Sequence, residues 1–290
     1  MINRKNFKLV EYNNVPYPAG YSAEIKEIAA HFDKSEIEIA GQYSLHTEYS
    51  YGKRKLDSSL LSGFPEIVAS HKDGIPQLWK SDKWALEFAA FILALTQDRN
   101  PPTVIEIHPP FNDYCDIDLF LDRYRKFETR IHEAYPETII VVENRSGSIY
   151  KGGRFIIGKA KEIAELCHKI TDSGTKLGVV LDFPQLLTAE HMDTLKFDVV
   201  KYFSLLENIT EYRSVIKGIH IWGKKKSDSG RWVAHAGNLD TYFGNNAKFK
   251  SAFIDGIARI CSDNQTRFFV PEVNTGAEDL ACIINDILCI

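Results

Sequence analysis

No two cysteines in this 290-residue chain have the Cys-x-x-Cys spacing of a thiolate metal site. Its five cysteines, Cys115, Cys167, Cys261, Cys282 and Cys289, are odd in number and scattered. That excludes a disulfide framework and a cysteine-held zinc, and a reduced protein is expected, with Cys282 and Cys289 as core residues of an apolar C-terminal helix. A membrane-length apolar run is also missing, and the opening MINRKNFKLVEYNN lacks both the apolar stretch and the small-residue cleavage site of a secretion signal. The expectation is a cytoplasmic protein with no membrane partner. Positive charge is not in excess: the net charge is −4, which gives no whole-molecule attraction to nucleic acid but leaves a local basic patch open. No proline-rich or charge-run linker divides the chain, so residues 1–290 read as one domain.

What the chain does have is a repeated pattern of apolar, β-branched runs that stop on a metal-ligand residue type. Thr138 to Glu143 (TIIVVE) sits between Pro136 and a loop beginning Asn144-Arg145-Ser146-Gly147. Val104 to Ile107 ends at His108, Leu177 to Leu181 at Asp182, Ile216 to Ile219 at His220, and Phe268 to Pro271 at Glu272. Ile37 to Leu45 reads as a further extended segment ending at His46. Such runs are buried strands, and parallel sheets gather their sites at the carboxyl ends of strands.

Between the strands lie helical patterns: Ser81 to Gln97 behind a Ser cap, Ile117 to Tyr135, Gly158 to Ile170, roughly Ala189 to Leu206, Phe249 to Cys261, and Ala277 to Ile287. Ser22 to Phe32 also has helical spacing. Phe7 to Tyr12 reads as a first strand, which makes seven, and Phe64 to Ala69 offers an eighth. The fold class expected is α/β, a single (β/α)8 TIM barrel, because ligand candidates end nearly every strand rather than one switch point. Residues from about 47 to 80, irregular and rich in Gly, Pro and Tyr, form a long excursion where barrel enzymes carry substrate loops.

His46, His108, Glu143, Asp182, His220 and Glu272 are nitrogen and oxygen donors without thiolate. That set suits one or two divalent ions such as zinc, manganese or iron. Arg145 and Lys151 border the Glu143 loop and are of a type that binds an anion or simply stays in solvent.

From His46 to Glu272 the chain resembles the endonuclease IV branch of the xylose isomerase-like TIM barrels, the family 2 AP endonucleases. Leu45-His46-Thr47-Glu48-Tyr49 looks like the family's histidine-bearing third strand, in which a tyrosine three residues on enters the DNA. Ile107-His108-Pro109 is similar to its His-Pro strand end, and Val142-Glu143-Asn144 with Ser146-Gly147 to its Glu-Asn-Thr-Ala-Gly. Leu181-Asp182 resembles its Ile-Asp, His220 its histidine before a basic loop, and His235-Ala236-Gly237-Asn238 its His-Glu-Asn-Ile-Gly, at a matching interval from His220. The resemblance implies that Glu143 bridges two metals, one also held by His46 and His108, the other by Asp182, His220 and Glu272. Two departures accompany it. Gln185 and Val233 stand where the family has two ligands of a third metal, so that ion is expected to be lost, and the first forty residues lack the family's opening signature, so the N-terminal part is divergent.

Two chemistries follow. In the hydrolytic one, zinc or manganese clamps a phosphate ester of DNA or of a phosphorylated small molecule, with Glu143, Glu272 and His235 at the reaction and Tyr49, Gln185, Trp222, Lys224 and His235 on the substrate. In the other, the chain is similar to the mononuclear ketose isomerases and epimerases of the same superfamily. Glu143, Asp182, His220 and Glu272 then hold one ion and a ketose sugar passes through an enediolate, with Glu143 and Glu272 moving the proton.

Overall fold

The computed structural model describes residues 6–12, 17–39, 41–50, 52–53, 62–97, 99–147, 149–150 and 153–288. Eight strands, all paired in parallel with their neighbours, close into a barrel in chain order. They are β1 (Phe7–Glu11), β2 (Ile25–Ala30), β3 (Tyr43–Thr47), β4 (Val104–Ile107), β5 (Ile139–Glu143), β6 (Gly178–Asp182), β7 (Ile216–Ile221) and β8 (Arg267–Pro271). Around them pack α1 (Pro65–Ala69), α2 (Asp82–Leu95), α3 (Ile117–Ala134), α4 (Ala160–Ser173), α5 (Phe183–Ala189), α6 (Val199–Thr210), α7 (Leu239–Tyr242), α8 (Ala247–Ile260) and α9 (Ala277–Leu288). This is the (β/α)8 barrel that the run of apolar strands implies.

Side chains alternate between two cores, as the period of two along a strand requires. Ile105, Ile140, Val142, Val179, Leu181, Ile219 and Phe269 face outward into the main core shared with the helices. Val10, Ile25, Val104, Val141, Val180, Phe268 and Val270 fill the lumen as a separate apolar plug. Two residues further along the same inward face come Tyr12, Glu27, Glu106, Glu143, Asp182 and, after Val270, Glu272. The plug seals the amino end of the lumen. Polar residues crown its carboxyl end.

Four segments differ from their reading in sequence. Ser22 to Phe32 is not a helix: Ile25–Ala30 is β2, laddered to both β1 and β3, and barrel closure overrides the helical spacing of Ile25, Ile28 and Phe32. Phe64 to Ala69 is not the eighth strand but α1, because Pro65 suits a first helical turn and the Glu87 carboxylate accepts the Glu66 and Ile67 amides at 2.8 and 3.1 Å. Ala189 to Leu206 is broken into the end of α5, a 3-10 turn at Thr194–Lys196, and α6, with Asp193 and Asp198 each capping a new start. Nearer the site, β3 begins only at Tyr43, and residues 37–39 lie outside any strand.

The excursion after β3 falls partly outside the described residues, as do Lys151 and Cys289. Its described part carries α1 and a two-residue hairpin, His71–Lys72 against Ile75–Pro76, tied back by Ser50 Oγ donating to the Pro76 carbonyl at 2.6 Å. Helix α2 then starts at Ser81, whose hydroxyl accepts the Trp84 amide, and buries Trp84, Phe88, Phe91 and Ile92. Ser81→Ala is expected to lower stability by about 1 kcal/mol, measured by urea unfolding, with an unchanged denaturant slope. Cys115, Cys167, Cys261 and Cys282 are free thiols. No helix among the described residues is long and apolar enough to cross a membrane.

Candidate metal centre

The polar crown at the carboxyl end brings all six sequence-derived ligand candidates together. Through β5 and β7, Glu143 and His220 meet at 3.4 Å (Oε1 to Nδ1), and His220 Nδ1 also lies 3.0 Å from Glu272 Oε1. His108 Nε2 is 3.1 Å from Glu143 Oε2. Asp182 joins His220 and Glu272 in one grouping of donor atoms within 4.8 Å of each other.

At the middle of the cluster stands a residue that the strand-end pattern passes over. Glu106 Oε2 is 3.0 Å from His220 Nε2, while its Oε1 is 3.3 Å from His46 Nδ1 and 3.9 Å from His108 Nε2. Glu106 therefore belongs to two further groupings, with His46 and His108 and with Glu143 and His220. His46 gathers about Glu106, while His108 faces both carboxylates and lies nearer Glu143. A second overlooked acid, Glu27 of β2, approaches His46 Nδ1 at 3.7 Å. A period-two reading of Val104, Glu106 and His108 finds the first of them, since a carboxylate inside an apolar strand must point into the lumen.

Several contacts fix these side chains. The Glu48 carbonyl lies 3.1 Å from His108 Nδ1 and can only accept, so Nδ1 carries the proton and the neutral ring turns its Nε2 lone pair on Glu143. Burial favours that neutral form by lowering the His108 pKa. Two acceptors then face each other at 3.1 Å, an arrangement that calls for a cation. His46 Nδ1, both His220 nitrogens, His235 Nδ1 and Glu106 Oε1 are likewise buried without a hydrogen bond of proper geometry. Convergent nitrogen and oxygen donors of this kind fit divalent zinc or manganese.

Part of the cluster is already served by the protein. Asp182 caps α5 by accepting the Gln185 amide at 2.7 Å, and its Oδ2 accepts Gln185 Nε2 at 2.9 Å and Trp222 Nε1 at 2.8 Å. Gln185 Nε2 reaches Glu143 Oε1 at 2.9 Å as well. Arg145 Nη1 donates to Glu143 Oε2 at 2.7 Å, so this arginine is no exposed loop residue but a partly buried counter-charge.

Electrostatics reflect this crowding. Burial and the Glu272 and Glu143 carboxylates push Asp182 up to about 8. Burial opposes charge on Glu143 too, yet Arg145 and His220 hold it well below the usual carboxylate range. His46 resists its burial because Glu27 and Glu106 carry it up to about 10. His220 is raised well above its ordinary value against burial by Glu106 and Glu272.

Above the cluster opens a cavity of about 520 Å³, reached by His46, Glu143 and Glu272 from below and walled by Tyr49, Gln185, Trp222, Lys224 and His235. Its size is that of a small-molecule or single-nucleotide site. Tyr49 packs edge-on to His46 and His108, with ring centroids 5.9 and 5.5 Å away. His235 takes a left-handed backbone, φ 55°, stacks on Trp222 at 4.6 Å, and sets Nδ1 3.2 Å from Glu272 Oε2. Its carbonyl accepts the Asn274 amide, and Gly223 has no room for a Cβ against Asn238, so the chain leaving β7 packs flush on the His235 segment. Lys224 to Lys226 is a strand paired with Trp232–Ala234, and Lys224 Nζ lies over the Trp232 and Tyr242 rings at 5.2 and 5.0 Å.

By sequence, the chain matches no protein-family profile and no curated protein. By structure it is similar to a protein designated AsfvAP, solved as AsfvAP:AG, at 9% identity over 98% of this chain and 97% of that one, with a TM-score of 0.55. AP endonuclease, family 2, from Brucella melitensis is 12% identical over 96% and 97% of the two chains, TM-score 0.48. D-Psicose 3-epimerase from Clostridium cellulolyticum H10, solved with D-tagatose, is 11% identical over 97% and 96%, TM-score 0.44. At these identities the likeness is one of fold. The fold shared is the (β/α)8 barrel.

Proposed function

We propose that this chain is a divalent-metal-dependent hydrolase of phosphate esters, working at the carboxyl-end mouth of its barrel. The observation that supports it most is the division of the donors into groupings on either side of Glu106. His46, Glu106 and His108 form one, and Glu143, Asp182, His220 and Glu272 continue from Glu106 on the other side. Two ions fit that division, whereas a mononuclear sugar isomerase needs only the second grouping, with His46 and His108 as substrate contacts. A pair of divalent ions supplies Lewis-acid charge to the phosphoryl oxygens and makes hydroxide available at neutral pH.

The chain's own residues do the rest. Lys224, at the cavity wall, offers positive charge to the ester. Glu272 and His235 form a carboxylate–imidazole pair that positions a proton for the departing oxygen. Gln185 keeps Glu143 and Asp182 in register. Tyr49 and Trp222 provide flat faces for a sugar or base. An abasic or other phosphodiester in DNA and a phosphorylated small molecule are the substrate classes, with zinc or manganese as the metal.

A second reading rests on a specific observation: Asp182, His220 and Glu272 make a complete grouping, with Glu143 in contact with His220. That is the set for one ion and a ketose sugar. Elemental analysis separates the two. Two ions per chain, falling to one in His46→Ala and in His108→Ala, is the expected result, accompanied by cleavage of abasic duplex or nucleotide phosphodiesters. A single ion retained in both variants, with turnover of ketoses, would replace the hydrolytic reading by the isomerase one.

A further inference from the structure

Among the described residues Arg145 brings a guanidinium into the cluster, and it is placed as a competitor for the metal. Its Nη1 occupies Glu143 Oε2, the oxygen that also faces His108 Nε2. A divalent ion on that carboxylate would bring two positive charges against the guanidinium, which must then leave. The direction left to it is the cavity, which Arg145 already lines beside Ser146 and Lys224. The guanidinium lies 5.4 Å from the centroid of the Tyr49 ring and 5.8 Å from that of Phe155, faces along which it can turn while keeping cation–π contact. Its Nε is buried with no hydrogen-bond partner. A guanidinium turned from Glu143 into this cavity keeps its charge and is placed to pair with an anion that enters there.

We infer that Arg145 is an anion-binding arm gated by the metal. It neutralises Glu143 while the carboxylate is bare, and turns to an oxyanion of the substrate once a cation takes Glu143. The inference rests on the hydrolytic reading and deepens it, since the oxyanion is the phosphoryl group and binding of cation and anion becomes cooperative. Cation and anion must each tighten the other by the same factor, because linkage is reciprocal.

The test is equilibrium binding of Mn2+ to the full chain, with and without inorganic phosphate as the probe, in wild type, Arg145→Gln and Arg145→Lys. In the wild type, phosphate is expected to tighten Mn2+ binding by about tenfold. In Arg145→Gln, Mn2+ alone is expected to bind about tenfold more tightly than in wild type, because its competitor is gone, and phosphate is expected to add less than twofold. Arg145→Lys keeps the charge but loses the fork, so it should retain the competition and lose most of the phosphate effect. Equal Mn2+ affinity and equal phosphate effect in wild type and Arg145→Gln would overturn the gate and leave the hydrolytic reading standing. No Mn2+ binding in the wild type would overturn both. Thermal unfolding of each variant without ligand confirms that the comparison is made on folded protein, and Arg145→Lys carries the test if Arg145→Gln does not fold.

Discussion

Glu106→Gln is expected to cut bound divalent metal from two ions per chain to one, and to lower phosphoesterase activity by about 10²–10³-fold. The substitution keeps the shape of the side chain and removes its charge. That charge lies 3.0 Å from His220 Nε2 and 3.3 Å from His46 Nδ1, so it holds two histidines whose own strands lie on opposite sides of β4. Loss of one supporting group around a metal site costs about 10–100-fold in affinity, and loss of a shared ligand costs at least that. Glu27→Gln is the milder comparison, because Glu27 supports His46 alone, at 3.7 Å, and its loss should weaken metal at that grouping by about 10–100-fold while two ions are still bound at saturating metal. Two ions and full activity in Glu106→Gln would show that Glu143 alone bridges, as the family resemblance implies, and that Glu106 is no more than a buried partner of the histidines.

Glu106 also shows how far the sequence could be read. His108, Glu143, Asp182, His220 and Glu272 were legible because each ends a β-branched apolar run, and a parallel barrel gathers such ends at one mouth. Glu106 lies inside its run, so looking only at strand ends misses it, although the inward face Val104, Glu106 is written in that four-residue strand and continues at His108 just past its end. Glu27 was hidden for a different reason. Its strand has helix-forming residues at helical spacing, and only closure between β1 and β3 makes it extended. The Arg145 contact was beyond reach of any pattern, since a loop residue two positions past a strand end folds back on that strand's last carboxylate only through the loop's own path. Gln185 was legible as a substitution within a ligand motif, but not as the amide that clasps Glu143 and Asp182 together.

At the other end of the barrel, Asp263→Ala is expected to destabilise the fold by about 3–5 kcal/mol, lowering the melting temperature by on the order of 10 °C. Arg267 opens β8 with a side chain that is 0% exposed, donating to the Asp263 carboxylate at 2.5 and 2.9 Å and to the Ile216 and Arg213 carbonyls at 3.0 and 2.8 Å. Removing the carboxylate strands a guanidinium that cannot lose its proton and cannot reach water. Arg267→Met should cost less, about 1–3 kcal/mol, because the Asp263 side chain is 17% exposed and can be hydrated, and the Arg213 carbonyl keeps the Ile216 amide, so the Ile216 carbonyl carries most of the loss. The order of the two variants is thus the reverse of what side-chain size suggests. Hydrogen bonding to Arg267 holds the Asp263 carboxyl below the usual range. A lowered folded-state value means that this stabilisation is fully present above the unfolded-state pKa of about 3.9 and is lost as pH falls through the folded-state value. The gap in melting temperature between wild type and Asp263→Ala should therefore be constant near neutrality and narrow only at strongly acid pH. Equal losses in the two single variants, or a gap that narrows above pH ~5, would show that the pair is not the buried clasp its geometry describes.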